Sequence, residues 1–497
     1  MDTAVPTVIT PETKANNDQS KWVTPFKKQC FVTAGVSLNI ISHGTALGFS
    51  SALIPQLRES KFIILDDSST SWIVSIVGIG VVTGILIIPF IINKIGRKLI
   101  NLMSAIIITI SWIIIFVAKT AFTLILARCV QGIGNGFTAI IGPILIGEYT
   151  SPRNRGAFLA TTSASFFVGT ALSHTTGSFL SWQKSALICA CISFIDILLI
   201  ICSPESPLYL AKNGKYDACK NNFHWLKGND EDEELDKMLK NAMIEKDLCK
   251  QIKIKSGYLN KILEYILTLR KREFYKPVII MFHLYTINIW CGVTIHDAFA
   301  IDILHTIVGP NVNISLIVFS MDIQAVVINI ITIVLIRKFK RKRVLLFAVS
   351  LNIIMYLLIA SYTYLRVQNI LSFHTPIIGI FLSHVHLIST TLGCVSIPNI
   401  IAGEIFPFNY KGIGGMFSQI IFYIILTVFL KITPYLLRIV GLSGTYCITA
   451  ALMCYSLIFL IIMLPETKDR TLQDIENELT GNNKNVNTET ELNMLMS

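Results

Sequence analysis

Long apolar stretches alternate with short polar loops along almost the whole chain. Twelve stretches are long and apolar enough to cross a bilayer as helices, which takes about 20 residues each. Because the bilayer core offers no water to backbone N–H and C=O groups, each stretch must be helical. The pattern predicts an all-α membrane protein with transmembrane helices at 30–52, 71–92, 99–118, 122–146, 156–180, 186–203, 277–299, 314–336, 344–365, 376–402, 412–438 and 443–464.

The two halves of this pattern repeat each other. A stop phrase, S-P-E-S-P, follows the sixth stretch at Ser203, and P-E-T-K-D-R-T-L follows the twelfth at Pro465. Six spans, a charged linker and six more spans are typical of carriers built from two pseudo-symmetric bundles. The predicted units are a polar N-terminal tail (1–29), a first bundle (30–203), a linker with short helices such as 258–269 (204–276), a second bundle (277–464) and a C-terminal tail (465–497).

Charge is sparse and unevenly placed. Charged residues make up 15% of the chain, against roughly 25% in soluble domains, and the net charge is +11. Lysine and arginine cluster in alternate loops, as at Lys94, Arg97 and Lys98, and in the linker. By the positive-inside rule both termini and the linker are cytoplasmic, in a multi-pass protein of the plasma membrane. Topology explains the basic run 337–343, so no nucleic-acid partner is needed, although anionic lipid remains an alternative.

Several local patterns carry little chemistry. Residues 1–29 lack an apolar core, so we expect no signal peptide, and the eleven cysteines suggest no disulfide framework. His384 and His386 point apart on a helix and cannot easily share an ion, so neither metal nor cofactor is expected. Glycines 132, 134 and 136 indicate close helix packing. Asn313 begins a glycosylation sequon near the eighth span.

Charged residues recur at matching ends of two spans. Span four ends P-I-L-I-G-E with Glu148, and span ten ends with Glu404. Arg97 lies in the tight turn after span two, and Arg155 follows Glu148 closely. Ion pairs among these residues are predicted to hold one bundle against the other and to break when the bundles rock. The alternative is that each is an ordinary solvated loop charge.

The chain resembles the sugar porter family of the major facilitator superfamily over all twelve spans. The phrases that carry the resemblance are G-R-K at Gly96, R-C-V-Q-G-I-G-N-G at Arg128, P-I-L-I-G-E at Pro143, R-G at Arg155, P-E-S-P, G-E-I-F-P at Gly403 and P-E-T-K-D-R-T-L. The resemblance implies a cytoplasmic gate of Arg97, Glu148, Arg155 and Glu404. The opening of span one, from Gly44, is similar to the facilitated trehalose transporter branch.

The sugar-binding positions of that family are altered in this chain. Sugar hydroxyls need directional partners beside an aromatic face. The resemblance places substrate contacts at Ser163, Asn288, Thr294, Asn399 and Tyr423, where several of the family's Gln and Trp residues are replaced. Gln324, a polar residue in span eight, is a further candidate for lining the cleft. An alternative is that Asn288 and Thr294 only bond helix neighbours. The second basic loop also departs from the pattern, since Arg337 and Lys340 stand where its acid and glycine are expected.

Acidic residues within spans bear on coupling, because charge inside a bilayer is costly. Asp302 and Asp297 are expected at the outer mouth beside His296 and His305, Asp196 in a structural hydrogen bond, and Asp322 facing the cleft. Proton-coupled sugar porters carry an Asp after a Gly in span one, whereas Gly44 is followed by Thr45. The resemblance therefore implies facilitative transport of a hexose or trehalose, without chemistry on the substrate. A proton-coupled symporter and a non-transporting sugar sensor are the alternatives, and oligomeric state stays open.

Overall fold

The fold is known from a computed structural model of the chain. It describes residues 24–60, 62–229, 231–253, 271–309, 312–368, 370, 376–407, 411–468, 470 and 472–480. Within these ranges it contains twelve helical segments long and apolar enough to cross a membrane, as the sequence predicts. The linker helix predicted at 258–269 lies outside the described residues.

The first six spans are unbroken helices. They are Pro25–Ser60, Asp67–Ile95, Arg97–Val117, Ala121–Tyr149, Pro152–Phe179 and Trp182–Cys202. In the described part of the linker, three helices follow at Pro207–Lys212, Tyr216–Lys227 and Asp232–Lys253, and they pack around Leu210, Cys219, Phe223 and Leu235. Gln29 at the start of span one bonds Ser151 at 2.8 Å and the carbonyl of Leu226 at 3.3 Å. The linker is therefore docked on the ends of spans one and five.

Two spans of the second bundle are interrupted. Span seven consists of Arg272–Trp290 and Val293–Val308, and span ten of Pro376–Ser389, a π-helical turn Thr390–Cys394, and Ser396–Ala402. The other spans are Ile314–Lys338, Arg341–Val367, Lys411–Ile439 and Gly441–Met463, and a final helix covers Leu472–Thr480. Broken helices at membrane depth are tolerated where they are buried in protein or line a cavity.

Spans two and four lie unusually close together. A Cβ on Gly80 would lie 2.3 Å from the carbonyl oxygen of Cys129 and 2.9 Å from the Cα of Gly132. One turn along, a Cβ on Gly84 would lie 2.4 Å from the carbonyl oxygen of Ile133. No larger side chain fits at these crossings, so the predicted role of the glycines in helix packing is confirmed.

The two bundles meet mainly along three pairs of spans: one with the second half of seven, two with eleven, and five with eight. The face that carries residues 203–253 is called the linker face, and the other end of the spans the opposite face. Two ion pairs join the bundles at the opposite face, Arg58 with Asp302 (3.1 Å) and Arg438 with Asp67. The described structure is therefore closed at the opposite face.

Candidate functional site

A central cavity of about 220 Å³ lies between the two bundles. It is lined by residues of spans one, four, five, seven, ten and eleven, so every wall belongs to a helix of one bundle or the other. Five of the six predicted substrate residues line it: Ser163, Asn288, Thr294, Asn399 and Tyr423. Their hydroxyl and amide groups both donate and accept hydrogen bonds, which suits a neutral polyol.

Asn288 and Asn399 converge on one backbone carbonyl. The side-chain amide of Asn288 donates to Val395 O at 3.0 Å, and that of Asn399 donates to the same oxygen at 3.2 Å. Val395 directly follows the π-helical turn of span ten. One N–H of each amide is thus held by protein, which leaves its other N–H as a donor and its oxygen as an acceptor. The bond from Asn288 to Val395 joins span seven to span ten, so the alternative that Asn288 only bonds helix neighbours stays open.

An aromatic wall faces these polar groups. The ring of Tyr423 stacks on His43 with centroids 6.1 Å apart, and its hydroxyl lies 3.5 Å from His43 Nε2. Phe166 meets the other side of His43 edge-on at 5.6 Å. His43, Thr138 and Gln419 line the cavity but were missed by sequence reasoning, although each is a polar residue within an apolar span. A polar residue within an apolar span was the reason for choosing Gln324, and the same reason applies to these three residues.

Gln324 lies away from the central cavity. Its side-chain amide donates to the backbone carbonyl of His384 at 2.9 Å, and its amide oxygen contacts His384 Nδ1. His384 in turn lies 3.3 Å from Ser320 Oγ. The structure therefore places Gln324 in a contact between spans eight and ten of the same bundle.

The break in span seven positions Asn288 and Thr294 on either side of it. Gly292 has φ +108°, and a Cβ there would lie 2.3 Å from His386 Cε1. The break frees backbone carbonyls, and side chains satisfy them: Tyr356 donates to Trp290 O at 2.8 Å, and Asn352 to Cys291 O at 3.0 Å. A glycine is required here by both conformation and space.

The predicted gate residues lie at the linker face, in pairs within each bundle. Arg97 Nε lies 3.6 Å from Glu148 Oε1, with both side chains nearly buried, and Ser206 Oγ also donates to the Glu148 carboxylate. In the second bundle Arg341 contacts Glu404. Each pair joins neighbouring spans of one bundle rather than one bundle to the other, which differs from the expectation.

The second basic loop retains more of the pattern than the sequence suggested. Arg341 occupies the place of Arg97, and Lys340 that of Gly96. Gly96 has φ +94°, whereas Lys340 has φ −64° and ψ 131°, an extended conformation open to any residue. Because the second loop has an extended backbone at this position, it does not require a glycine there.

Arg155 does not approach Glu148 in the described structure. Its guanidinium lies 3.5 Å from Glu234 of the linker and 3.5 Å from the carbonyl of Thr150. Glu234 also binds Lys227 at 2.8 Å. Arg155 therefore ties the linker to the start of span five.

Two acids of the repeated stop phrases cap helices, and sequence reasoning missed both. Glu205 accepts from the backbone N–H of Lys98 at 3.0 Å, at the start of span three. Glu466 accepts from the N–H groups of Arg341 at 3.0 Å and Lys342 at 3.2 Å, at the start of span nine. A carboxylate at a helix N-terminus satisfies orphan donors and favours the dipole. The Pro-Glu pair that both stop phrases contain was the sequence signal that could have identified these two caps.

The acids within spans fall in several places. Asp302 lies at the opposite face with His305, as expected, around a separate cavity of about 630 Å³. Asp297 instead lines the central cavity, and Asp322 binds His174 and His296 between the bundles. The hydrogen bond expected for Asp196 is not found among the described residues, where neither of its buried carboxyl oxygens has a partner. Asn313 is exposed and caps span eight by accepting from Leu316 N at 3.3 Å.

A sequence profile described as "Sugar (and other) transporter" matches residues 14–479. The chain belongs to this sugar transporter family. Its members perform transport and no chemistry on the substrate, in keeping with the expectation that the chain is not an enzyme. The resemblance drawn from the motifs is thereby confirmed, and the family places the protein in a membrane as a multi-pass carrier.

Two relatives within the family match along most of their length. A facilitated trehalose transporter, Tret1, of Apis mellifera ligustica is 24% identical over 463 residues, covering 92% of this chain and 89% of the relative. The mouse facilitated glucose transporter member 8 is 23% identical, covering 92% and 96%. An inward-open structure of the E. coli xylose transporter XylE superposes with a TM-score of 0.72 at 14% identity, covering 90% of this chain and 99% of that one. This last likeness confirms the two-bundle major facilitator fold.

Proposed function

We propose that this protein is a facilitative carrier for a hexose or trehalose that works by alternating access. The central cavity carries the proposal. It lies between two bundles that can rock, and it presents hydroxyls and amides opposite an aromatic wall. Sugars are recognised by such directional neutral partners beside an aromatic surface. The relatives named as trehalose and glucose transporters support the choice of these two sugar classes.

Transport without proton coupling is favoured by span one. Between Pro25 and Ser60 the only acid is Glu59, at the opposite face, and Thr45 follows Gly44 where coupled relatives carry an aspartate. One observation favours a second candidate, proton-coupled symport. Asp297 lines the central cavity, where a carboxyl group could exchange a proton during the cycle.

We propose that the linker face is cytoplasmic, with both termini on that side of the plasma membrane. Lys94, Arg97, Lys98, Arg153 and Arg155 all lie at the linker face. The opposite face carries fewer cations, and Arg58 and Arg438 there are paired with acids. An excess of lysine and arginine in short loops marks the cytoplasmic side. Protease protection of the linker in sealed right-side-out vesicles would test the orientation, and cleavage of the linker from outside would contradict it.

Uptake into proteoliposomes tests the proposed activity. Purified full-length protein is reconstituted, and entry of labelled glucose, fructose and trehalose is measured with and without an inward proton gradient. We expect saturable uptake of at least one sugar that stops at equal concentrations and is unaffected by the gradient. Accumulation above equilibrium under a gradient would select the symporter. Sugar binding without uptake of any of the three would select a sensor and reject the carrier.

A matched pair of variants ties the activity to the cavity. Asn288→Leu removes a lining amide, whereas Gln324→Leu removes an amide of similar chemistry outside the cavity. Uptake by Asn288→Leu should fall while Gln324→Leu resembles the parent protein. Equal losses in both would argue against the cavity as the sugar site.

A further inference from the structure

Three titratable side chains from three helices meet inside the protein, between the bundles. His174 belongs to span five of the first bundle, whereas His296 and Asp322 belong to spans seven and eight of the second. Asp322 lies 3.0 Å from His174 Nδ1 and 3.1 Å from His296 Nε2. The three side chains are 1%, 9% and 3% exposed, respectively. The cluster thus bridges the bundles in a nearly water-free place.

Hydrogen-bond accounting shows that the cluster needs a positive charge, supplied either by a second proton on His174 or by a bound metal ion. His174 Nε2 lies 3.0 Å from the backbone carbonyl of Asp297, and since a carbonyl only accepts, Nε2 must carry the proton. In the neutral ring Nδ1 then holds a lone pair, and it faces the Asp322 carboxylate, which also only accepts. Two acceptors at that distance repel each other unless a positive charge lies between them.

The charge balance suits a divalent ion, which would supply the same charge as protonation of both histidines. Asp297 and Asp322 are both buried, and among the described residues neither forms an ion pair with a lysine or arginine. With neutral histidines the site therefore carries two negative charges. Burying unpaired charge costs several kcal/mol per ion, so one doubly charged ion would offset both carboxylates.

We propose that His174, His296 and Asp322 bind a divalent transition metal of the zinc type, with Asp297 as the second balancing charge. Two imidazoles and a carboxylate suit zinc. With bonds of about 2.0–2.1 Å, tetrahedral ligand atoms lie roughly 3.3 Å apart. His174 Nδ1 and His296 Nε2 each lie 3.1 Å from Asp322 Oδ1, and all three ligand atoms lie within 4.8 Å of one another, so small side-chain movements would bring them around one ion. The bond from His174 Nε2 to the Asp297 carbonyl is the outer contact that metal-binding histidines usually make.

There is room for a further ligand beside the cluster. His296 lines a cavity of about 30 Å³ together with His386, Ser383 and Met321. That volume is large enough for a water molecule beside His296. The neighbouring titratable group His384 is held by Gln324 and Ser320, so it does not compete for the ion.

The site has a consequence for transport that rests on the proposed function. Because the ligands come from both bundles, the ion would hold span five against spans seven and eight. It would stabilise the form closed at the opposite face, beside the Arg58–Asp302 and Arg438–Asp67 pairs. Zinc should then slow sugar uptake by lowering the population that opens at that face.

Metal binding by the purified full-length protein tests the site without any transport assay. The affinity tag is removed, the protein is stripped with a chelator in detergent, and zinc is added in equilibrium dialysis. We expect one tightly held zinc per chain and a rise in Tm of several degrees. His174→Gln and Asp322→Asn should each weaken binding roughly 100-fold or more, whereas His283→Gln, at a buried histidine stacked on Phe459, should not.

Replacing one proposed metal-binding residue by another that also binds metal provides a second test if those variants fold poorly. In Asp322→Cys, added Co²⁺ should give a thiolate-to-metal absorption band that disappears in Asp322→Cys/His174→Gln. No retained zinc in the parent protein, or retention unchanged in His174→Gln and Asp322→Asn, would overturn the site. Because uptake is not the readout, failure of the metal site and failure of the sugar carrier remain distinguishable.

Discussion

Glu466 accepts a hydrogen bond from the backbone N–H of Arg341 at 3.0 Å, so an acid of the last loop caps the start of span nine. The first bundle repeats the arrangement with Glu205 and Lys98 at 3.0 Å. Lysines complete the repeat, because Lys98 Nζ donates to Ile201 O at 2.8 Å and Lys342 Nζ to Leu464 O at 2.7 Å. In each bundle, therefore, an acid that follows the last span caps the start of the third span of that bundle, and a lysine at that start binds a carbonyl at the end of the last span.

Removing either cap should destabilise its bundle. Glu466→Ala leaves the N–H groups of Arg341 and Lys342 without their acceptor, and we expect a loss of about 1–2 kcal/mol. Glu466→Gln, which keeps an acceptor but not the charge, should lose less. Thermal unfolding in detergent micelles measures the difference. Glu233→Ala, at an exposed linker position, is the control, and an equal loss there would contradict the capping role.

The Arg341–Glu404 contact should appear as coupling between two substitutions. Both side chains are partly exposed, so we expect a double-mutant coupling of about 1 kcal/mol from Arg341→Ala, Glu404→Ala and the double variant. Additive losses would show that the contact contributes nothing. Arg155→Ala combined with Glu404→Ala should be additive, because Arg155 contacts the linker instead.

Glu404 pairs within its own bundle in the described structure, which is closed at the opposite face, so a gate role requires it to contact the other bundle when the linker face closes. Glu404→Ala should then weaken that closure and bias the carrier towards opening on the linker face. A cysteine introduced by Asn399→Cys, at an exposed cavity position, reports the opening by its rate of alkylation in membranes. Native Cys219 in the linker adds little background, because burial raises the pKa of its thiol. Faster alkylation is expected, and unchanged alkylation with unchanged uptake would remove Glu404 from the gate.

The fold was predictable because its signals are local. Each span is a continuous apolar run, and the positions of Glu148 and Glu404 follow from repeated phrases that the same helices carry. The partners of the gate residues were harder to predict. Because Lys340 stands where the first loop has glycine, Arg341 looked like part of a basic run and not like the counterpart of Arg97. Local pattern shows which residues repeat but not which of them touch.

The interior of the protein was harder to predict for a different reason. Asn288 meets Val395 across 107 residues, and His174 meets Asp322 across 148. Such contacts depend on how spans rotate about their axes, which a nearly uniform apolar sequence does not specify. Gln324 illustrates this, since it is polar and within a span but faces His384 rather than the cavity.

Loss of the Asn288 amide should weaken sugar binding without unfolding the protein. Asn288→Leu removes one acceptor from the cavity and the bond to Val395, so we expect the apparent affinity for the transported sugar to fall about tenfold, the equivalent of one hydrogen bond. The measurement is KM for uptake, with Tm recorded in parallel. A large fall in Tm with unchanged KM would mean that Asn288 is structural only.

Gly292→Ala should damage the break in span seven. The left-handed backbone disfavours a side chain, and the new Cβ would meet His386 and the Tyr356 hydroxyl. We expect a loss of roughly 1–3 kcal/mol together with reduced uptake, because Asn288 and Thr294 flank the break. Gly412→Ala, where no atom lies within 4 Å of an added Cβ, is the control. Equal behaviour of the two variants would show that the break does not require glycine.

The ion pair between Arg58 and Asp302 should help to set which face is open. The pair crosses the bundles at 3.1 Å with both side chains partly exposed, so its contribution is small, about 0.2–1 kcal/mol. Arg58→Asp places like charges together and should shift the equilibrium a few-fold towards opening at the opposite face, measured by the rate at which an impermeant thiol reagent modifies Ser163→Cys from that side. The exchanged variant Arg58→Asp/Asp302→Arg restores attraction with the charges reversed, and its modification rate should return towards that of Ser163→Cys alone. If the exchange instead behaves like Arg58→Asp, the effect comes from lost packing of the arginine stem, and the pair does not control the opposite face.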